Sequence, residues 1–263
     1  RRPSRATRGP YTTRGRSIDY VIGNVLKTFY FKQESGLQYR TTYSIDKTTA
    51  DVLIFGSSTA NHNYEPNAFE KGLGMSFYNA GADGSSIFYD YGILRAVLKR
   101  YKPKIAILSF EASEFFEYQN SYDELSALLP YYEDHPEIDS IVRLKSRYER
   151  LKLFSHIYPY NSSIFTIAAG NADFNKKKNG DIKGYVPLTN LWDEPIRDGS
   201  TFLNRGLDCN KIKIYRSFIE DCLTAKVKLY IICPPLLIKP NYKTNSVVQG
   251  TEIAPALDVS FID

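Results

Sequence analysis

Apolar positions along the chain change period several times, and each change marks an element. Ile18, Val21, Ile22, Val25, Leu26 and Phe29 recur at helical intervals, which predicts an amphipathic entry helix over residues 18–30. Such a helix either packs its apolar face on the body or rests it beside a membrane, and packing is the first expectation. After a polar stretch, Asp51-Val-Leu-Ile-Phe-Gly56 is a continuous apolar run closed by glycine, the pattern of a central strand buried on both faces. Met75-Ser-Phe-Tyr-Asn79 predicts a second strand. A helix follows over about residues 86–101, with Tyr89, Ile93, Leu94, Val97 and Leu98 on one face, and Pro103 punctuates it. Lys104–Phe110 is a third apolar run. Lys228–Cys233, closed by Pro234 and Pro235 and preceded by a helix over about 210–225, is a fourth, and Ala256–Phe261 a fifth.

Strands that alternate with helices imply right-handed crossovers and a mostly parallel sheet, hence an α/β fold. Between the third and fourth strands the pattern changes: residues 122–155 read as helical and 171–204 as polar loop. This stretch, about 115–205, reads as an insertion that serves as a lid or substrate-facing subdomain. Its Asn175-Lys-Lys-Lys-Asn179 run reads as a solvated turn. The layout is then a disordered tail over 1–17, an N-terminal helix and lead-in over 18–49, and one α/β domain over 50–263. With 263 residues and 43% hydrophobic content, a single sizeable core is expected.

Charge alters this picture only at the N-terminus. The first 17 residues hold six arginines (Arg1, Arg2, Arg5, Arg8, Arg14, Arg16) and no acid, and removing those six from the net +5 leaves residues 18–263 at −1. A nucleic-acid footprint belongs on a folded body, so no nucleic-acid partner is expected. Cys209, Cys222 and Cys233 lack the spacing of a disulfide framework or a zinc site and read as buried free thiols. No apolar run has the length of a spanning helix. No cofactor or metal is implied.

In open parallel sheets, ligands gather outside the carboxyl ends of the strands. Three segments lead there: Gly56–His62, Asn79–Ser86 and Glu111–Glu114. A hydroxyl that opens a helix after a tight glycine turn, as Ser58 does, is presented to substrate beside the positive end of the helix. A loop glycine such as Gly84 can turn its N–H toward the same point. His62, one turn after Ser58, could lean back toward that hydroxyl. Taken singly, each is also what an ordinary strand-to-helix turn contains. His135 and His156 have no carboxylate partner that the sequence assigns.

In combination, Gly56-Ser57-Ser58 after the first strand, Asn79-x-Gly-x-x-Gly84-Ser85 after the second, and a helix, Lys-Pro and third strand resemble the first three sequence blocks of the SGNH (GDSL-type) hydrolases. Ser57 stands where that family's first block has Asp. The resemblance implies a flavodoxin-like three-layer sandwich, a serine esterase or O-acyltransferase, Ser58 as nucleophile and Gly84 as oxyanion donor. It puts Ser113, in Glu111-Ala-Ser113-Glu114, where the family's third block carries an oxyanion-binding Asn. It further implies an acyl ester of a small molecule or polysaccharide as substrate, hydrolysed or transferred, and a bacterial-envelope location, extracytoplasmic or membrane-associated. The family's base comes from a C-terminal Asp-x-x-His, absent up to Asp263, so the expectation is that the domain continues past that residue. Two other classes compete. One is a catalytically inactive relative with a binding or structural role. The other is a flavodoxin-like nucleotide binder whose Gly56–His62 loop cradles a phosphate, which leaves the Asn79–Gly84 block unexplained.

Overall fold

The computed structural model describes residues 10–172, 181–189, 205–235 and 243–263. Five short strands, β1 (Val52–Phe55), β2 (Phe77–Asn79), β3 (Ile105–Ser109), β4 (Lys228–Ile232) and β5 (Ser260–Ile262), form one sheet in the order β2-β1-β3-β4-β5. Every pairing is parallel, with Val52 opposite Phe77 and Ile105, Ile105 opposite Lys228, and Tyr230 opposite Ser260. The central strands are apolar on both faces because both faces are covered. Leu53, Phe55, Ala106, Leu108, Leu229 and Ile231 point into the larger core, whereas Val52, Ile54, Phe77 and Ile107 point into a smaller one on the opposite face.

The larger core is closed by α5 (Ile87–Arg100), α10 (Cys209–Thr224) and α11 (Asn245–Ala256). The smaller core lies beneath α3 (Ser58–Asn63) and α4 (Pro66–Leu73). Reversal of the strand order at β1 explains the split. Right-handed crossovers from β1 to β2 and from β2 to β3 run in opposite directions, so they fall on opposite faces.

Several boundaries differ from expectation. The entry helix α1 is Pro10–Phe31, so it begins inside the stretch read as a tail, and α2 (Gly36–Thr42) with a π-helical turn over Tyr43–Lys47 fills the polar lead-in. The apolar run starting at Ala256 is split: Ala256 ends α11, and the strand occupies only Ser260–Ile262. Residues 122–155 break into α6 (Gln119–Asp123), 3-10 turns over Glu124–Tyr131 and Pro136–Ile138, α7 (Asp139–Val142) and α8 (Glu149–Lys152), since Pro130 and Pro136 interrupt continuous hydrogen bonding. Leu125, Leu128, Leu129, Ile138, Ile141 and Val142 from this stretch are buried in the same core as α5. After α9 (Ile164–Gly170), the Asn175–Asn179 run lies outside the described residues. Cys222 is buried, but Cys233 is half-buried and Cys209 exposed, which corrects the expectation of three buried thiols.

Candidate active site

The β1 exit is built around Gly56. Its φ of +135° is disfavoured for any side chain, and a Cβ there would stand 2.7 Å from the Ser109 carbonyl oxygen, so glycine is what lets β1 and β3 end side by side. Gly56 N donates to Asp90 Oδ1 at 3.0 Å. Burial, and next the charge of Glu114, hold the Asp90 carboxyl well above the usual carboxylate range. Asn79 ties the next loop to α3: its Nδ2 donates to the Ala60 carbonyl at 2.7 Å and its Oδ1 accepts from Gly81 N at 2.9 Å. The β3 exit is pinned from α11, where Ser246 Oγ accepts from Phe115 N at 3.0 Å.

These exits surround a cavity of about 200 Å³ lined by Ser57, Ser58, Gly84, Ser85, Ser86, Glu111, Ser113, Glu114, Tyr118, Asn120, Ser121, Glu124 and Lys211. The three residues to which the family resemblance gives roles, Ser58, Gly84 and Ser113, are on its wall. It opens where the strand order reverses between β1 and β3, the place at which such sheets hold ligands. Ser58 is exposed there, while Ser57 is buried and donates its hydroxyl to Glu111 Oε1. Thr59 Oγ1 lies 3.1 Å from Ser109 Oγ. The buried Ser86 hydroxyl has no hydrogen-bond partner among the described residues.

His62 is engaged elsewhere. Its Nδ1 lies 2.6 Å from the Val186 carbonyl and its Nε2 3.0 Å from Asp83 Oδ1, so both ring nitrogens are occupied away from Ser58. No histidine lines the cavity among the described residues. His135, unassigned from sequence, sits between Asp46 at 3.0 Å and Glu137 at 2.8 Å, and these raise its pKa.

Four charged residues line the cavity: Glu111 and Glu114 belong to the rim segment expected from the sequence, where they were given no role, and Glu124 and Lys211 were not foreseen there. Glu114, buried, accepts from Ile87 N at 2.8 Å, and burial pushes its carboxyl up to about 7 against the lowering effect of Lys211. Glu124, half-buried, is pushed up to about 7 by the same cause. A Cβ on Gly84 would meet Glu124 Oε1 at 3.6 Å, so this carboxyl lies beside the candidate oxyanion donor. Glu111 accepts from Ser57 and Thr59 and Glu114 from Ile87, whereas the Glu124 carboxyl has no hydrogen bond or ion pair to another described residue. Lys211, only 2% exposed, has its pKa lowered by burial, opposed by the nearby charges of Glu114, Asp208, Glu124 and Glu111. A second cavity of about 230 Å³, which includes Leu37, Thr41, Tyr89 and Ala127, shares Ser85 and Glu124 with the first. Among the described residues no cluster is suited to a metal ion.

Chemically, the first cavity combines an exposed hydroxyl, a backbone N–H at a glycine, and a carboxyl that exchanges its proton near neutral pH. A scan against models of known protein families finds none that matches the chain, and a search of curated proteins finds no match either.

Proposed function

We propose that the chain is a serine esterase or O-acyltransferase of the SGNH type, with the flavodoxin-like three-layer architecture of that family and an acyl-enzyme on Ser58. The observation that carries this reading is the convergence of Ser58, Gly84 and Ser113 on one cavity at the reversal of strand order. Ser58 Oγ gives up its proton as it attacks the ester carbonyl, the developing oxyanion meets the Gly84 N–H and the Ser113 hydroxyl, and its collapse breaks the ester C–O bond and expels the alcohol, which takes up that proton. Water or a second hydroxyl then releases the acyl group. A serine hydroxyl needs a partner to take its proton. Glu124 is assigned that role, because it shares the cavity with Ser58, is the cavity carboxyl left without a hydrogen bond or ion pair among the described residues, and has an affinity for a proton that matches neutral pH. Once it accepts the proton it is neutral, and no longer opposes the oxyanion beside Gly84.

The three carboxylates of the cavity outnumber Lys211, which disfavours a phosphate and so the nucleotide-binding alternative. The same acidic lining, with no histidine on it among the described residues, favours as second reading a non-catalytic site for a neutral or cationic ligand. Fluorophosphonate labelling separates the two. The expected result is covalent modification of the native chain that disappears in Ser58→Ala. Absence of labelling, or labelling that persists in Ser58→Ala, overturns the esterase reading in favour of the binding one.

A further inference from the structure

Helix α1 is held to the body by one face. The Asp19 carboxylate accepts from Ser155 Oγ, from His156 N at 2.8 Å and from Ile157 N at 3.4 Å. Gly23 lies so close to His156 that a Cβ there would meet His156 Cβ at 2.4 Å. Lys27 pairs with Asp134 at 3.0 Å, and Tyr30 is buried against the rings of Tyr131 and Tyr160. At about 100° per residue, these positions share one side of the helix and leave Ile18, Val21, Ile22, Val25 and Phe29 on the other. Those five side chains are 58%, 59%, 42%, 50% and 44% exposed. Of the stripe expected to pack on the body, Leu26 touches the core and the other five positions face away from it. Neighbouring segments that touch α1 add further exposed apolar groups: Phe165 on α9 at 89%, and Phe154 at 81% just before the Ser155–Ile157 contact.

The sequence that leads into this stripe carries charge of one sign. From Arg1 to Phe31 the only acidic residue is Asp19, and it is turned into the body, whereas six arginines precede it; past the helix Lys32 and Glu34 offset each other. A second copy docked in parallel through the same stripe would bring the two arginine-rich ends against each other. A surface of anionic headgroups accepts both the apolar stripe and the arginines. No helix among the described residues is long and apolar enough to cross a membrane.

We propose that α1 docks the protein flat on an anionic lipid bilayer, with Ile18, Val21, Ile22, Val25 and Phe29 inserted at the headgroup boundary, the six arginines of the preceding sequence selecting for anionic lipid by their charge. This surface is independent of the chemistry assigned to Ser58. The test is co-sedimentation of the full chain with vesicles of phosphatidylcholine alone and of equimolar phosphatidylcholine and phosphatidylglycerol. The chain is expected to partition onto the anionic vesicles and only weakly onto the neutral ones. Val21→Ser with Val25→Ser, both at exposed positions, is expected to lower that partition about tenfold or more with an unchanged circular dichroism spectrum. Failure of the native chain to bind anionic vesicles overturns the proposal, as does a double variant that binds like the native chain. A dimer in sedimentation equilibrium that the double variant dissociates, without vesicle binding by the native chain, assigns the stripe to a second copy and overturns it as well.

Discussion

Ser58 and Glu124 enter the site by different routes. Ser58 follows directly from a glycine turn after an apolar run, and both are local features. Glu124 sits in a 3-10 turn far along the chain and is brought to Gly84 only by folding. Its carboxyl, raised by burial to about 7, ionises as pH climbs through that value, and only the ionised form can take the Ser58 proton. The rate of fluorophosphonate labelling is therefore expected to rise with pH through about 7. In Glu124→Gln that limb should vanish and the plateau rate should fall about 10²- to 10⁴-fold, measured as labelling rate against pH. A native rate that is flat between pH 6 and 8, as about the range that brackets this group, would remove Glu124 from the role.

At the scale of elements, the amphipathic period of residues 18–30 reveals a helix with an apolar face, but period alone does not say which face meets the body. Gly23 settles the matter, because it allows the His156 backbone to approach within a distance that no Cβ tolerates. Gly23→Ala is expected to cost about 1–3 kcal/mol in urea denaturation, through overpacking, and to speed hydrogen exchange in α1 while β1 and β3 stay protected. Gly15→Ala is the contrasting case, with nothing within 4 Å of its added methyl, and should be neutral or slightly stabilising. Short elements escaped the sequence for a related reason. Helix α4 opens at Glu65, whose carboxylate caps Asn67 N and Ala68 N, and it is only eight residues long, too short for a periodic stripe to stand out.

Across the whole molecule, Lys211 joins parts that are remote in sequence. It rises from the start of α10, whose N-terminus is capped by Asp208, into a cavity whose carboxylates come from the β3 exit and from the 3-10 turn at Glu124. Removal of one partner from a buried charge cluster leaves the others uncompensated. Lys211→Met is expected to destabilise the chain by about 3–5 kcal/mol in denaturant titration. A carboxyl whose folded pKa is raised loses stability as pH increases from its unfolded value to its folded one, and removal of Lys211 enlarges that loss for Glu114 and Glu124. The defect should therefore be larger at pH 8 than at pH 5, on either side of about 7. A defect that shrinks as pH rises would contradict this account of the cluster.

The sequence by itself determined the parallel α/β sheet, the three loops at its carboxyl rim, and Ser58, Gly84 and Ser113 within them. A buried strand and a glycine turn are imposed by interactions between near neighbours, and the chain spells them out in order. Only the tertiary structure decided that His62 turns to Asp83 and Val186, that Glu124 and Lys211 enter the cavity, and that the apolar stripe of α1 faces outward. Each of these depends on a contact between distant segments. Helical period and residue type constrain what a side chain can do, but they carry no information about which remote group it meets.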